Sequence, residues 1–497
     1  MRKRNKFSLS FYKLFTCKMG YLLPMGLIEV LPGDTIRHAT GLFMRLAPML
    51  APVMHPCHVT IHTWYVPHRL VWDEFEQFIT GGEDGLNTSV LPTITAPSGG
   101  FPVGSLADYL GVVPGVEGLE ISALPFRAYA MIYNEWYRDQ DLEEVVPFST
   151  DSGPDTTTST ALLRGDWERD YFNTARPWPQ KGLAVTVPVN GSFDASVVSD
   201  GTVPTFSPNG TSAGTFVVHP LYSGNAGTDF SLLGGDVAST VAVTTRVWNN
   251  SGLKLDTASN NASVDINQLR EAFALQRFEE HRAMYGSRYV EYLRYLGIKA
   301  SDARLQRPEY LGGGRQTIQF SEVLQTAEGT DPVGTLRGHG IASMRSNRYR
   351  RFIEEHGYIL SFLLVRPKSI YMQGLDRTWL RRVKEDFWQK ELEHIGQQEV
   401  YTQELYAAAD SGTVFGYQNR YDDYRQHWSS VSGEFRDILD YWHMARSFSN
   451  EPVLNADFIS SVPTERIFAA QKNDQLYCFA QHSVQARRLM AKFGNPI

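Results

Sequence analysis

A strict two-residue alternation just before Pro67 constrains the fold of this chain more than any other local pattern. Between residues 58 and 65, the odd positions are Val, Ile, Thr and Tyr, and the even positions are His, Thr, His and Trp. A period of two places the two sets on opposite faces of a sheet, which predicts a β-strand. Pro67 has no N–H group for the ladder, so we expect the strand to end there.

Other segments extend this sheet-rich prediction. The apolar run 359–365, which contains one serine at 361 and lies between Gly357 and Pro367, predicts a strand that is covered on both faces. Helical spacing of apolar residues predicts helices over 71–79, over 126–137 and from the N-cap Asp265 toward Met284. The 25 prolines and 41 glycines predict many turns and long loops, and 42% hydrophobic residues suffice for a large core.

Charge is distributed unevenly along the chain. The first 28 residues contain six Lys/Arg and no acid, whereas the remainder has 41 bases against 54 acids, a difference of −13. We therefore interpret residues 1–30 as a basic N-terminal arm, either solvated or in contact with a polyanion such as DNA. The acidic remainder implies that this chain alone cannot neutralise a genome.

The cysteine content and the hydropathy exclude two classes of protein. The chain has three cysteines, Cys17, Cys57 and Cys478. Their odd number and wide spacing argue against a fold held together by disulfides. The apolar run 21–30 is interrupted by Pro24 and Gly26 and is too short to cross a bilayer, so we expect no membrane segment.

The segment 190–260 differs in composition from the rest. It is rich in Gly, Ser, Thr and Asn, contains no Glu, and carries only Arg246 and Lys254 as fixed cations. A stretch of this length that buries little apolar area inside a compact fold is usually functional or disordered. We interpret it as an insertion between two parts of one core, 31–189 and 261–497.

Seven motifs stand out in chain order: LPGDT at 31–35, RLAP at 45–48, YVPHRLVWD at 65–73, DARLQRPEYLGG at 302–313, EHGY at 355–358, FGYQ at 415–418 and LDYWH at 439–443. These motifs resemble those of the major capsid protein of the microviruses, in particular the gokushovirus-like members. The resemblance covers nearly the whole chain except the arm and the insertion.

The resemblance implies a fold and a function. The fold expected is all-β: an eight-stranded antiparallel jelly-roll barrel of the viral capsid type, with long loop insertions and a few short helices. The function expected is that of a capsid protein that builds a small T=1 icosahedral shell from pentamers around a circular single-stranded DNA genome. The segment 190–260 would be an outward protrusion at the three-fold axes.

The same resemblance implies partners and a location. Besides other copies of itself and the DNA, the partners would be a small basic DNA-condensing protein, a pilot or spike protein, and a host receptor contacted by exposed loops. The chain would reside in the virion after assembly in the cytoplasm of the bacterial host. No catalytic, cofactor-binding or metal-binding residue is then required.

Basic residues interleaved with aromatic ones are the candidate DNA contacts. Around 345–352, alternation would place Arg348, Arg350 and Phe352 on one side of a strand, and cations beside aromatic rings suit single-stranded DNA. The alternative is that these cations pair with acids across a subunit interface. The candidates are Arg2, Lys3, Arg4, Lys6, Arg345, Arg348, Arg350, Arg351, Arg487 and Arg488.

Other chemistry-bearing patterns favour structural roles. His55, Cys57, His58 and His62 are zinc-ligand types at short spacing, but on a strand Cys57 points away from His58 and His62. The glycines 312–314 lack the Lys-Ser/Thr of a phosphate-binding loop and are interpreted as a turn. Adjacent carboxylates such as Glu143 and Glu144 indicate a solvated face, because acid–base catalysis needs carboxyls opposed across a cleft.

Two other functions remain as alternatives. A carbohydrate-binding or glycoside-cleaving β-sandwich would share the high strand content and the aromatic and glycine-rich composition of this chain. Such a protein would need an aromatic cleft with opposed carboxylates. A minor virion spike protein is the second alternative, and copy number in the particle distinguishes it from the shell subunit.

Overall fold

The computed structural model describes residues 4–82, 86–183, 185, 306–326 and 332–492, together with five short strands between 196 and 256 and one helix over 266–285. It divides into two compact units: Met1–Gly182 with Glu279–Ile497, and Leu183–Phe278. The described part of the chain contains no helix long and apolar enough to cross a membrane.

The strands dominate the described residues. In chain order they are β1 Asn5–Ser8, β2 Phe11–Cys17, β3 Leu23–Val30, β4 Thr35–Leu46, β5 Cys57–Pro67, β6 Thr93–Thr95, β7 Glu120–Ser122, β8 Ser196–Ser199, β9 Thr205–Pro208, β10 Phe216–Val217, β11 Arg246–Asn250, β12 Leu253–Asp256, β13 Glu309–Thr317, β14 Gln319–Leu324, β15 Leu336–Arg345, β16 Tyr349–Phe352, β17 Gly357–Pro367, β18 Gln397–Tyr401, β19 Val414–Asn419 and β20 Leu476–Arg488.

Among the described residues, helices are few and mostly short. The α-helices are α1 Phe75–Thr80, α2 Leu106–Leu110, α3 Leu124–Trp136, α4 Ile266–Tyr285 and α5 Ala456–Ile459. Single 3₁₀ turns lie at His68–Leu70, Arg377–Trp379, Lys384–Asp386, Lys390–Leu392, Thr402–Glu404, Asp422–Tyr424, Gly433–Arg436 and Asp440–Trp442. The all-β class expected from the sequence is therefore confirmed.

Two large antiparallel sheets organise the first unit. The first sheet has the order β13-β5-β17-β3. The second has the order β1-β20-β4-β15-β14, with β2 also pairing with β20 and β16 also pairing with β4. Strands β1 and β2, which lie in the segment interpreted as an arm, therefore pair with the last strand of the chain.

The core lies between these two sheets. Met25, Ile61 and Val365 of the first sheet are buried in one apolar cluster with Met44 and Ala480 of the second. Alternate residues of β3, β4, β5, β15, β17 and β20 face this cluster, as the two-residue period of a strand requires. The other set of each strand is left to face solvent or a further layer.

The strand β17 is buried on both faces, as predicted. Leu363 and Val365 face the cluster between the sheets, whereas Leu360, Phe362 and Leu364 belong to a second cluster that includes α3. The helix α3 begins and ends close to the predicted bounds. The helix predicted over 71–79 is shorter than expected: α1 begins only at Phe75, and residues 71–74 are not helical.

The glycines 312–314 do not form a turn, and this prediction was wrong. They lie inside β13, opposite β5, with a bulge between Tyr310 and Gly312. A Cβ on Gly313 would lie 2.1 Å from the carbonyl oxygen of Ile61, so the close approach of the neighbouring strand explains the glycine there.

The second unit contains two small antiparallel sheets. One has the order β10-β9-β11 and the other pairs β12 with β8. These five strands lie in the segment interpreted as an insertion, most of which lies outside the described residues.

Candidate nucleic-acid interface

The second sheet presents an unusual set of residues on the face that points away from the core. Strand register places Lys6 opposite Arg487, and Arg37 between Gln485 and Arg350. Farther along the same face, Arg345 lies opposite Gly41, and Arg45 opposite Tyr477. All six of these cationic side chains are exposed. We call this set the cationic face: Lys6, Arg37, Arg45, Arg345, Arg350 and Arg487.

Apart from Arg45, which lines a groove together with Asp108 and Asp474, the cations of this face have no compensating acid among the described residues. The strands β1, β2, β4, β15, β16 and β20 carry no Asp or Glu at all, and β14 carries one, Glu322. Within the described part of the chain, no cation of this face forms a salt bridge. Uncompensated like charges on one surface repel each other, so the arrangement favours binding of a polyanion.

Aromatic rings lie among these cations. Tyr12, Phe43, Tyr477 and Phe479 are exposed on the same face, with exposed fractions from 37% to 70%. The guanidinium of Arg45 lies 5.5 Å from the ring centroid of Phe43, and the rings of Tyr12 and Phe479 are 5.8 Å apart. Rings beside cations are the pattern by which proteins hold single-stranded nucleic acid.

The structure brings four of the predicted contacts together on this face: Lys6, Arg345, Arg350 and Arg487. Arg348 is exposed in the connection that precedes β16. Arg2 and Lys3 lie outside the described residues.

The other three predicted contacts have structural partners within the chain. Arg4 donates to the carbonyl oxygen of Gly33 and to the Thr35 hydroxyl, both at 3.0 Å. Arg351 forms an ion pair with Glu309 at 3.1 Å. A side chain already engaged in this way is less available to a phosphate.

Arg488 is the most firmly engaged of the three. Its Nε donates to the Asp34 carboxylate at 2.9 Å, and its Nη2 donates to the carbonyl oxygen of Glu29 at 2.9 Å. Asp34 is fully buried, and its carboxylate also accepts from the backbone N–H of Leu31. Burial raises the pKa of Asp34, while the Leu31 N–H and Arg488 oppose that rise. The LPGDT motif is thus a turn held closed by the last strand.

Sequence reasoning missed Arg37 and Arg45. Both lie at outward positions of β4, where exposed and buried residues alternate from Thr40 to Leu46. The signal was present in the sequence, because the segment 30–72 contains one acid, Asp34, and an alternating apolar pattern. Recognising it required assigning β4 to a face, which depends on the partner strands.

Among the described residues, the four zinc-type residues do not form one ligand cluster. His55 is buried against the carbonyl oxygen of Lys368 at 2.8 Å, and Cys57 is buried in the core. His62 lies 2.7 Å from the Tyr137 hydroxyl, and burial lowers its pKa to about 4. Over the described ranges, no group of three potential ligands is positioned to hold a metal ion.

Comparison with known proteins finds similarity to capsid proteins of phages, both with a family model and with individual relatives. A family model described as capsid protein (F protein) matches residues 1–497. Capsid protein VP1 of Bdellovibrio phage phiMH2K is 38% identical over 95% of this chain and 90% of its own length. The corresponding proteins of Chlamydia phage 1 and Spiroplasma virus 4 are 31% and 30% identical, over 99% and 92% of this chain and 95% and 87% of their own lengths.

Proposed function

Because the chain belongs to the phage capsid protein (F protein) family, which is structural and not enzymatic, we propose that it is the major subunit of a small T=1 icosahedral shell around a circular single-stranded DNA genome. The observation that carries this proposal is the match over the full chain, with relatives that it covers almost end to end. The comparisons support neither the carbohydrate-active sandwich nor the minor spike protein.

An eight-stranded jelly roll accounts for the topology of the first unit. Such a fold packs two four-stranded antiparallel sheets face to face. The orders β2-β20-β4-β15 and β3-β17-β5-β13 supply two sets of four. In this assignment β2 is the first barrel strand and β20 the last, so residues 11–17 belong to the barrel. The segment 1–10 and the short strands β14 and β16 are additions to it.

The cationic face is the surface proposed to contact the genome. Support comes from six exposed cations on strands that themselves carry no acid, from rings between the cations, and from the adjacent Arg348. Phosphate contacts of this kind are independent of base sequence and weaken with salt. The residues Arg2 and Lys3 would add to the same field if the chain before β1 follows that surface.

Other partners follow from the shell function. A chain with a net charge of −7 cannot neutralise a packaged genome, so a small basic DNA-condensing protein is proposed as a component of the particle. A pilot or spike protein and a host receptor are proposed as further partners. The segment 190–260 is proposed as the outward three-fold protrusion. The chain is a component of the virion, and assembly is proposed to occur in the host cytoplasm.

The mass of the native assembly tests this function. Sedimentation with light scattering, after nuclease treatment, should reveal a uniform megadalton particle in which this chain predominates and single-stranded DNA is protected. A free monomer or small oligomer without DNA would overturn the proposal. A particle in which the chain is only a trace component would instead favour the spike alternative.

A further inference from the structure

One end of the cationic face contains a groove with a different character from the rest of the surface. It has a volume of about 540 Å³ and lies where β2, β4 and β20 meet the segment 103–109 around α2. Its apolar lining includes Leu14, Phe43, Val103, Tyr477 and Phe479. We call this feature the end groove.

The floor of the end groove is a row of side chains from three adjacent strands. Register places Leu14 opposite Phe479, and Phe479 opposite Phe43. These three side chains are 73%, 37% and 38% exposed, although the inward neighbours of Phe43 and Phe479, at positions 42, 44, 478 and 480, are buried. An apolar row left open on a sheet otherwise covered with cations and amides indicates a surface that a planar apolar group can cover.

The charges of the end groove nearly cancel. Lys13 and Arg45 are matched by Asp108 and Asp474. Lys13 is directed at the carbonyl oxygens of Pro24 and Tyr109, and Asp474 accepts from the Thr16 hydroxyl. Asp108 accepts from the backbone N–H of Gly104 at 2.8 Å. The groove therefore offers aromatic contact and hydrogen-bonding edges, but no net attraction for a phosphate.

Net positive charge begins immediately beyond the groove. Moving along the sheet from Phe43, the next outward position is Gly41, which lies opposite Arg345, and Arg37 and Arg350 follow. Gly41 has no side chain to interrupt the surface between the groove and these cations. An extended polymer with a charged backbone and planar apolar side groups matches a cationic track that leads to a neutral aromatic groove.

We propose that the end groove binds an unpaired base of the single-stranded genome, while the phosphates on either side of that base lie on the cationic track. This inference rests on the proposed function and adds a base-binding site to it. The rings of Phe43, Phe479 and Tyr477 provide the stacking surface, and Asp108, Asp474 and Thr16, which also line the groove, supply polar atoms for the edges of the base. A duplex cannot occupy the groove in this way, because its bases are stacked on each other.

Photo-crosslinking in the native particle tests the site without altering the protein. Filled particles grown with 5-bromodeoxyuridine in place of thymidine are irradiated, digested and analysed by mass spectrometry. Crosslinks are expected on peptides that contain Phe43 or Tyr477 to Phe479. Crosslinks confined to other peptides of this chain would overturn the proposal that the end groove binds a base, but would still support contact between the chain and the genome. Particles without DNA would overturn the proposed function itself.

A binding measurement with variants separates base contact from phosphate contact. The full-length chain should bind a fluorescent oligothymidylate about tenfold more tightly than an abasic strand with the same number of phosphates. Phe479→Ser should abolish this preference, and Phe479→Tyr should retain it. Arg345→Gln should weaken both ligands equally. Trp379→Ser is the matched control, since Trp379 is 71% exposed and lies outside the groove.

Each result of that measurement decides between the hypotheses. Equal affinity for the two strands means that phosphates alone are held and that the base-binding inference is wrong. If the chain binds neither strand, both the base-binding inference and the proposed contact with the genome are wrong. If Phe479→Ser fails to fold, as circular dichroism would show, the comparison of the two strands on the unaltered chain still decides the question.

Discussion

Nε2 of His38 lies 3.0 Å from Nδ1 of His482, between the two large sheets. Nε2 of His482 lies 3.1 Å from the carbonyl oxygen of Met25, so that nitrogen carries a hydrogen and Nδ1 accepts from His38. Nδ1 of His38 then accepts from the Tyr349 hydroxyl at 2.9 Å. Both rings are neutral in this chain of hydrogen bonds, and a further proton on His482 would place two N–H groups against each other.

We expect acid to destabilise the folded chain through this pair. Burial lowers the pKa of His38 to about 3 and that of His482 to about 4, and their mutual repulsion and Lys13 act in the same direction. The unfolded chain therefore takes up protons first, so stability is lost as pH falls below about 6.5 toward 4. The loss should reach about 1 to 2 kcal/mol per histidine near pH 5, measured by urea unfolding.

His482→Gln provides the control for this prediction. A glutamine amide can donate toward Met25 and accept from His38, yet it does not titrate. The variant should show a flatter dependence of unfolding free energy on pH between about 7 and 5. Some slope should remain, because burial also lowers the pKa of His55, His62 and His68 to about 4. An unchanged slope would mean that the pair does not control acid stability.

Removing two cations should weaken the binding of DNA in a way that depends on salt. Arg345→Gln with Arg350→Gln deletes two exposed cations of the cationic face. The slope of log affinity against log salt for a single strand should fall by about 1.4, at about 0.7 for each phosphate contact. Particles of the variant should also retain less DNA in high salt.

Arg382→Gln is the matched control for that experiment. Arg382 is also exposed, but its guanidinium lies near the carbonyl oxygens of Trp379 and Arg381, away from the second sheet. Its replacement should leave both the salt slope and the retained DNA unchanged. Equal effects of the two sets of variants would show that the cationic face has no special role.

Arg488→Gln should destabilise the fold more than Arg351→Gln does. Loss of Arg488 leaves the completely buried Asp34 carboxylate without its cation, which typically costs about 3 kcal/mol or more. The Arg351–Glu309 pair is partly exposed, at 45% and 25%, and its loss should cost less than about 1 kcal/mol. Chemical unfolding of the two variants measures the difference. Equal losses would contradict the assignment of Arg488 to the LPGDT turn.

The ion pair of Arg127 with Asp155 provides a second test of the buried polar groups. These side chains are 1% and 0% exposed and 2.7 Å apart, and Arg127 also donates to the carbonyl oxygens of Val71 and Asp151. Arg127→Met should cost about 3 to 5 kcal/mol of unfolding free energy, because it isolates a buried carboxylate. Adding Asp155→Asn should recover part of that loss, and a further additive loss would exclude the isolated charge as the cause.

The periodicity of apolar residues correctly predicted those strands and helices in which buried positions recur at regular intervals along the chain. The alternation before Pro67 and the apolar run 359–365 predicted β5 and β17, and helical spacing predicted α3, because each pattern lies within a single segment. The glycines of β13 were misread because their cause, the close approach of Ile61, lies about 250 residues away in the chain.

The residues of the candidate site could be predicted only in part from the sequence, because contacts between residues that are far apart in the chain decide which cations are exposed. A count of nearby cations identified Arg345 and Arg350 but could not separate them from Arg351, whose partner Glu309 lies on another strand. Arg488 follows Arg487 directly, yet the two point to different sides of β20. Strand pairing across several hundred residues determines which cation is exposed and which is engaged.

The position of β20 between β2 and β4 also determines when the second sheet can form during synthesis of the chain. Residues 476–482 of β20 pair with β2, and residues 476–487 pair with β4, although more than 400 residues of chain separate β20 from both strands. Until those residues emerge from the ribosome, the edges of β2 and β4 that they cover remain open, and open edges invite pairing with other chains. The second sheet of a nascent subunit therefore closes only after residue 488 has left the ribosome, and a subunit that lacks β20 would expose strand edges of β2 and β4 to other chains.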